Sequence, residues 1–267
     1  MDSSSDMHVH TASSPDADVP AVDLCRMGSD AGLRTIGFVA HLDLNPEDHC
    51  YGGFSEADYM KELDLADSSE IQVLRGLEIG EPHLYMQQAE QVFTRSRYDF
   101  ITGALHWVEN RLVLDEKAFQ TGNAIELVEE YYRGILAIVQ NTDINIIAHM
   151  GIFRRGMARA GLSTDLDETI LFPSLLKKIL QTMISRGIAF EVNTAGLRRP
   201  EKTTYPTAAV LRLYSSLGGR RITVGSDTHR KENAFFGLSL GRSLVTSCGL
   251  VSCGTFEDGE YTPAPLL

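Results

Sequence analysis

Histidines and acids close a series of short apolar runs in this chain. MHVH places His8 and His10, TIGFVAH places His41, IQVLRGLE places Glu78, DFITGALH places His106, INIIAH places His149, and TVGSDTH places Asp227 and His229. Imidazole and carboxylate are the groups that hold zinc, iron or manganese, and no single local motif contains them all. A fold that gathered them would have a site for metal-assisted catalysis. In HVH, alternate residues of a strand point the same way, so His8 and His10 can grip one ion from one face while Val9 packs into the wall. A lone HxH is equally a chance pair on an exposed edge, but SDTH repeats the spacing with Asp227 and His229. Glu78 follows an apolar run, where burial demands either a metal or a salt bridge, and a metal is the expectation. His106, between Leu105 and Trp107, and His149, before Met150, each read alone as well as hydrogen-bonded core histidines. Together at successive strand ends they read as ligands, and His41 joins them. His49, in the polar loop NPEDHCYGG, reads as surface or lid, and His83, soon after Glu78, as a substrate contact or an exposed residue.

Short β-branched runs near 35–40, 71–77, 99–104, 144–148, 188–192 and 221–225 alternate with stretches of helical period such as Ala124–Gln140 and Glu168–Ser185. With MHVH as the first strand, the spacing is roughly 30 to 45 residues per unit and the count about seven, so parallel βα units closing into a barrel are expected. Ligands at successive C-terminal strand ends then share one rim. The tail after Cys253 reads as irregular. At 267 residues and 43% hydrophobic content the chain fits a single barrel domain over 1–267.

A formal charge of −12 argues against a nucleic-acid partner, which needs a cationic face for counterion release. The four cysteines show no CxxC spacing, and the plain reading is reduced thiols in a cytoplasmic protein. The segment MDSSSDMHVH has no basic and apolar leader pattern, and no run of apolar residues is long enough for a membrane span, so no membrane partner is expected.

The start HVHTASSPD, His41, Glu78, GALHWV around His106, His149 and GSDTH together resemble the polymerase-and-histidinol-phosphatase (PHP) superfamily across almost the whole chain. NTAGLRRP over 193–200, followed by Tyr205-Pro206 and GSDTHR, is similar to the histidinol-phosphate phosphatase branch in particular. The resemblance implies a distorted (β/α)7 TIM-like barrel with two or three divalent ions, zinc, iron or manganese, at the C-terminal rim. It implies one ion on His8, His10, Glu78 and Asp227, a second sharing Glu78 and adding His106 and His149, and a third on Asp16, His41 and His229. Asp16 stands where the family has histidine or aspartate. Ala40 and Gly151 depart from the pattern, standing where many relatives carry aspartate; neither removes a ligand, and both touch the surroundings of the site.

The implied reaction is hydrolysis of a phosphate monoester, L-histidinol phosphate, by a metal-bound hydroxide, with Glu78 central and Asp16 or His229 assisting the leaving alkoxide. No GxSxG elbow offers a serine nucleophile. Phosphate needs a local cationic grip in this acidic chain. Arg154-Arg155 after His149 and Arg198-Arg199 after the strand ending at Asn193 supply two pairs that are otherwise solvated surface charge. Arg155 and Arg198 are assigned to phosphate, with Arg154 as a substitute. The alternatives are a PHP phosphoesterase or nuclease acting on nucleotides or nucleic-acid ends, and a non-catalytic metal-binding scaffold. NTAGLRRP favours the first reading.

Overall fold

Runs rich in Val, Ile and Phe form the strands of a computed structural model that describes residues 4–67, 70–93 and 97–266. In chain order these are β1 (Ser5–His10), β2 (Thr35–Val39), β3 (His41–Asp43), β4 (Gln72–Gly80), β5 (Phe100–Ala104), the small pair β6 (Trp107–Val108) and β7 (Arg111–Leu112), β8 (Ile146–Ile147), β9 (Ala189–Asn193), β10 (Ile222–Gly225), β11 (Ser252–Glu257) and β12 (Glu260–Pro265). The parallel sheet runs β1-β2-β4-β5-β8-β9-β10, and β3 continues the place of β2 against β4 after a break at Ala40. Where the strand is broken, the Ala40 carbonyl still accepts from Glu78 N at 3.0 Å. The ring closes through a parallel bridge between Val9 and Thr228. There His10 N donates to Thr228 O and Asp227 N to His8 O, both at 2.9 Å. Seven positions result, the distorted (β/α)7 barrel that the alternation predicts.

Helices cover the outside. Ala124–Asn141 begins where the Asn123 side chain accepts from Ile125 N at 3.0 Å, and its buried face packs on the helix Pro173–Arg186. The stretch expected as one helix from Glu168 is two, Glu168–Leu171 and Pro173–Arg186. Pro173 lacks the N–H to continue the first and sits well in the first turn of the second. Among the described residues, no helix is long and apolar enough to cross a membrane.

Side chains that point into the barrel form layers. Leu74, Gly76 and Glu78 share one face of β4, since alternate strand residues point the same way. At the level of Leu74, the residues Met7, Val39, Phe100, Ile146 and Ala189 make an apolar cluster that Phe256 of β11 completes. A side chain at Gly76 would place a carbon 2.2 Å from the Phe100 ring, so glycine there makes room for that plug. The expected irregular tail is therefore corrected to the β11–β12 hairpin. Its turn is Asp258-Gly259, both with positive φ, a tight-turn signal of the kind that Asp-Gly provides. Glu78 is likewise not past a strand end but two residues inside β4, which β3 lengthens by pairing His41 with Glu78.

Candidate metal centre

The ligand-type side chains come from all around the ring. His8 and His10 lie on β1, His41 opens β3, Glu78 lies in β4, and His106, His149 and Asp227 each sit two residues beyond β5, β8 and β10. Asp16 comes from the loop after β1 and His229 from the loop after β10. His149 has φ +22° and Asp227 φ +55°, backbone conformations that cost about 1–3 kcal/mol each in a residue with a side chain and that cluster where function sets the geometry.

Three groupings emerge around Glu78 and Asp16. In the first, Glu78 Oε2 is 3.5 Å from His8 Nε2 and 3.3 Å from His10 Nε2. Asp227 Oδ1 lies 3.9 and 3.8 Å from the same two nitrogens, which are 3.1 Å apart. In the second, Glu78 Oε1 is 2.8 Å from His149 Nε2 and 3.7 Å from His106 Nε2. In the third, Asp16 Oδ2 is 3.6 Å from His41 Nε2 and 3.2 Å from His229 Nε2, with 3.4 Å between the two imidazoles. These separations match the edges of a coordination polyhedron, about 3.4 Å for ligands about 2.1 Å from a tetrahedral ion.

Behind the cluster, hydrogen bonds orient most of the rings. His8 Nδ1 meets Glu191 Oε1 at 2.7 Å, His10 Nδ1 meets Ser14 Oγ at 3.2 Å, and His229 Nδ1 meets the Asp227 carbonyl at 3.1 Å. Asp43 Oδ1 meets His106 Nδ1 at 3.3 Å, and its other oxygen pairs with His41 Nδ1 as an ion pair at 3.1 Å. With protons directed outward, the Nε2 lone pairs face one another across the cavity, an arrangement that repels unless a cation lies among them. Glu78 Oε2 and Asp16 Oδ1 are buried without a hydrogen-bond partner, which points the same way. The residues thus fit a cluster of divalent ions.

Electrostatics agree. Burial opposes ionisation of Glu78, yet the charges of His8 and His41 and the adjacent imidazoles of His10 and His149 hold its carboxyl well below the usual range. Asp227 is likewise ionised well below its ordinary value despite burial, through His229, His8 and Arg155. Burial and then the charges of His229 and His41 push His10 down to about 3. His8 is raised well above the ordinary histidine value because Glu191 and Glu78 override the cost of burial. In the absence of an ion, the carboxylates draw protons onto some imidazoles, which is the charge balance a bound cation replaces.

The cluster opens into a cavity of about 270 Å³ lined also by Arg155, Arg198 and Arg199. Arg198 is anchored by donating to the carbonyls of Ser226 at 2.7 Å and Asp227 at 2.8 Å. Arg155 Nε and Nη2 and Arg199 Nε are buried without hydrogen-bond partners. Burial disfavours the charge on both Arg198 and Arg199, and the Arg155 cation adds to that effect. Three crowded guanidinium groups, two of them with donors to spare, are chemically able to receive an anion.

Two expected substrate contacts are corrected. Arg154 is 1% exposed and committed to Glu168 Oε1 at 2.5 Å and to the carbonyls of Leu166 and Thr164, so it does not line the cavity. Its neighbour Arg155 takes the rim side because adjacent residues at the start of the helix Arg154–Arg159 face different ways. His83 lies outside the lining too, and burial pushes its imidazole down to about 4. His49 is exposed and borders the mouth. Glu191 and Asp43 escaped the sequence reading, and Arg199 stood there only as the unassigned neighbour of Arg198. Glu191 carries a signal as a lone charge inside the apolar strand AFEVN, and Asp43 repeats the two-residue spacing after His41.

A fold of this kind with such a rim defines a class of metal-dependent barrels, and residues 6–195 match the PHP domain model; the chain belongs to the PHP domain family. Among curated proteins it is 26% identical over 260 residues to the histidinol-phosphatase of Lactococcus lactis, covering 94% of both chains. It is 25% identical over 246 residues to a probable histidinol-phosphatase of Clostridium acetobutylicum, covering 92% of this chain and 94% of the other. The crystal structure of the Lactococcus lactis histidinol phosphate phosphatase, complexed with zinc, L-histidinol and phosphate, superposes with a TM-score of 0.84 at 21% identity, over 98% of this chain and 100% of that one. A putative histidinol phosphatase from Listeria monocytogenes gives a TM-score of 0.72 at 20% identity, over 88% and 99%.

Proposed function

We propose that this protein is a metal-dependent phosphomonoesterase that converts L-histidinol phosphate and water to L-histidinol and phosphate. The observation that carries the reading is a cluster of nine ligand-type side chains, seven of which line one cavity together with Arg155, Arg198 and Arg199. The relatives named above support the choice of substrate, and the solved relative holds zinc, L-histidinol and phosphate.

In this reading His8, His10, Glu78 and Asp227 hold one ion, Glu78 with His106 and His149 a second, and Asp16, His41 and His229 a third. Zinc, iron or manganese bound there supplies a water of lowered pKa and offsets phosphoryl charge. Arg155, Arg198 and Arg199 bind and orient the phosphoryl oxygens, and the unpartnered donors of Arg155 and Arg199 gain acceptors when they do. Glu191 and Asp43 fix the rings of His8, His41 and His106. Asp16 and His229, at the more exposed side of the cluster, stand where a leaving alkoxide can be stabilised. The four cysteines are buried, and burial raises the Cys50 thiol to about 12, which disfavours the thiolate a nucleophile needs.

Phosphate release tests the assignment. Metal-stripped protein, with zinc, manganese or iron(II) added back singly, is assayed on L-histidinol phosphate, nucleoside monophosphates and p-nitrophenyl phosphate. L-Histidinol phosphate is expected to have the highest kcat/KM by roughly a hundredfold; faster turnover of the nucleotides would overturn the substrate assignment.

A further inference from the structure

The cavity has one acidic side chain that the phosphatase chemistry leaves unused. Five acids line it, Asp16, Asp43, Asp48, Glu78 and Asp227. Four of them touch histidines of the metal cluster. Asp48 does not. Its Oδ1 accepts from Cys50 N at 2.8 Å and lies 3.3 Å from His49 Nδ1, and its Oδ2 accepts from Trp107 Nε1 at 2.7 Å. The carboxylate is held in place by two protein donors, is only 4% exposed, and yet borders the cavity. A carboxylate oxygen has room for a second donor beyond the one that fixes it.

Topology sets Asp48 apart from the arginines. Arg155 follows β8 and Arg198 and Arg199 follow β9, the fifth and sixth positions of the ring, whereas Asp48 follows β3 in the second. In a ring of seven, the second position faces the gap between the fifth and sixth. The three guanidinium groups and the Asp48 carboxylate therefore oppose each other across the metal cluster; Leu112, Leu114 and Ile152 contribute apolar lining, and Arg230, which also lines the cavity, is paired with Asp18. A cavity polarised in this way suits a ligand with a phosphate at one end and a positive charge at the other.

We infer that Asp48 is the specificity-determining residue for the leaving group, binding the ammonium of an amino-alcohol phosphate while Trp107 holds its carboxylate in register. The inference rests on the phosphomonoesterase reading and deepens it. L-Histidinol phosphate has the required shape, a phosphate ester beside a primary amine. A neutral alcohol at the same place leaves a desolvated carboxylate without its partner, which is how a site rejects the wrong substrate.

The test compares kcat/KM for L-histidinol phosphate with that for its des-amino analogue, in the wild-type holoenzyme and in Asp48→Asn. The wild type is expected to prefer the amine by at least about thirtyfold, and Asp48→Asn to abolish most of that preference. An undiminished ratio in the variant, however far both values fall, would overturn the inference and leave Asp48 a purely structural residue. Should the variant fail to fold, product inhibition of the wild type gives the same answer. L-Histidinol is expected to inhibit at least about tenfold better than its des-amino analogue, and equal inhibition would overturn the proposal. Hydrolysis of both esters without amine preference would sink this inference alone. Hydrolysis of neither would remove the phosphatase reading and the inference with it.

Discussion

At one end of the barrel interior Met7, Leu74, Phe100, Ile146 and Phe256 pack against one another; at the other, four residues further along the same face of β4, Glu78 faces six imidazoles and two more carboxylates. The apolar end is fully buried and the rim is not, with Asp16 and His229 about a quarter exposed, and their polar accounting differs too. The apolar end has no polar side chain in its cluster, whereas the rim keeps Glu78 Oε2, Asp16 Oδ1 and donors of Arg155 and Arg199 without partners. Such groups each cost about 1–3 kcal/mol when buried unsatisfied. One strand face thus stabilises the fold at its start and stores the cost of the site near its end, where ligands relieve it.

Substitutions should separate the two ends. Glu78→Ala removes the side chain common to two of the proposed ion sites, and activity is expected to fall by on the order of a thousandfold or more with bound metal dropping below about two ions per chain. Phosphate-release kinetics with elemental analysis measure both, and retained turnover would mean the centre lies elsewhere. Phe256→Ala should act in reverse, costing about 3–5 kcal/mol in denaturant unfolding while the folded fraction keeps its kcat. Glu191→Gln, behind the cluster, is expected to weaken metal affinity by roughly 10–100-fold, read by chelator competition. Arg198→Ala should raise KM for a phosphomonoester by about tenfold; an unchanged value would remove it from the phosphate site.

The smallest effect concerns Glu81, whose carboxylate accepts from His106 N at 2.6 Å and Trp107 N at 3.0 Å. Burial raises it from 4.5 to about 7, against the opposing influence of His106 and those hydrogen bonds. Between those values the native protein holds a proton that the unfolded chain has lost. That share of stability is complete below pH 4.5 and is lost as pH rises through about 7. In metal-free protein, Glu81→Gln should flatten the fall of Tm with pH across this window, and an unaltered slope would show that Glu81 is not its source.

Much of this arrangement is legible in the sequence because a parallel strand ends abruptly. An apolar run that stops at His106, His149 or Asp227 marks the rim directly, and about seven alternating βα units fit a closed barrel. What escapes is set by orientation and by distant partners. Arg154 and Arg155 are neighbours in sequence, but one turns inward to Glu168 and the other to the cavity. His83 is close to Glu78 in sequence yet falls outside the lining. Glu191 reads as an oddity until Gly225, where any side chain would collide with it and with His8, shows that space is kept for their contact. The Asp258-Gly259 turn was there to be read, and the hairpin it makes places Phe256 under the barrel.

The seam between β1 and β10 has a single bridge with two amide hydrogen bonds, reinforced by Ser226 N donating to Asp6 Oδ1 at 2.9 Å. His8 and His10 stand on one lip and Asp227 and His229 on the other, so an ion held by both sides fastens the ring like a clasp. Anything that binds only the closed form resists its opening. For this molecule, heat tolerance is expected to rise with cation supply, and a chelator that silences the enzyme is expected also to loosen the joint where the first strand meets the last.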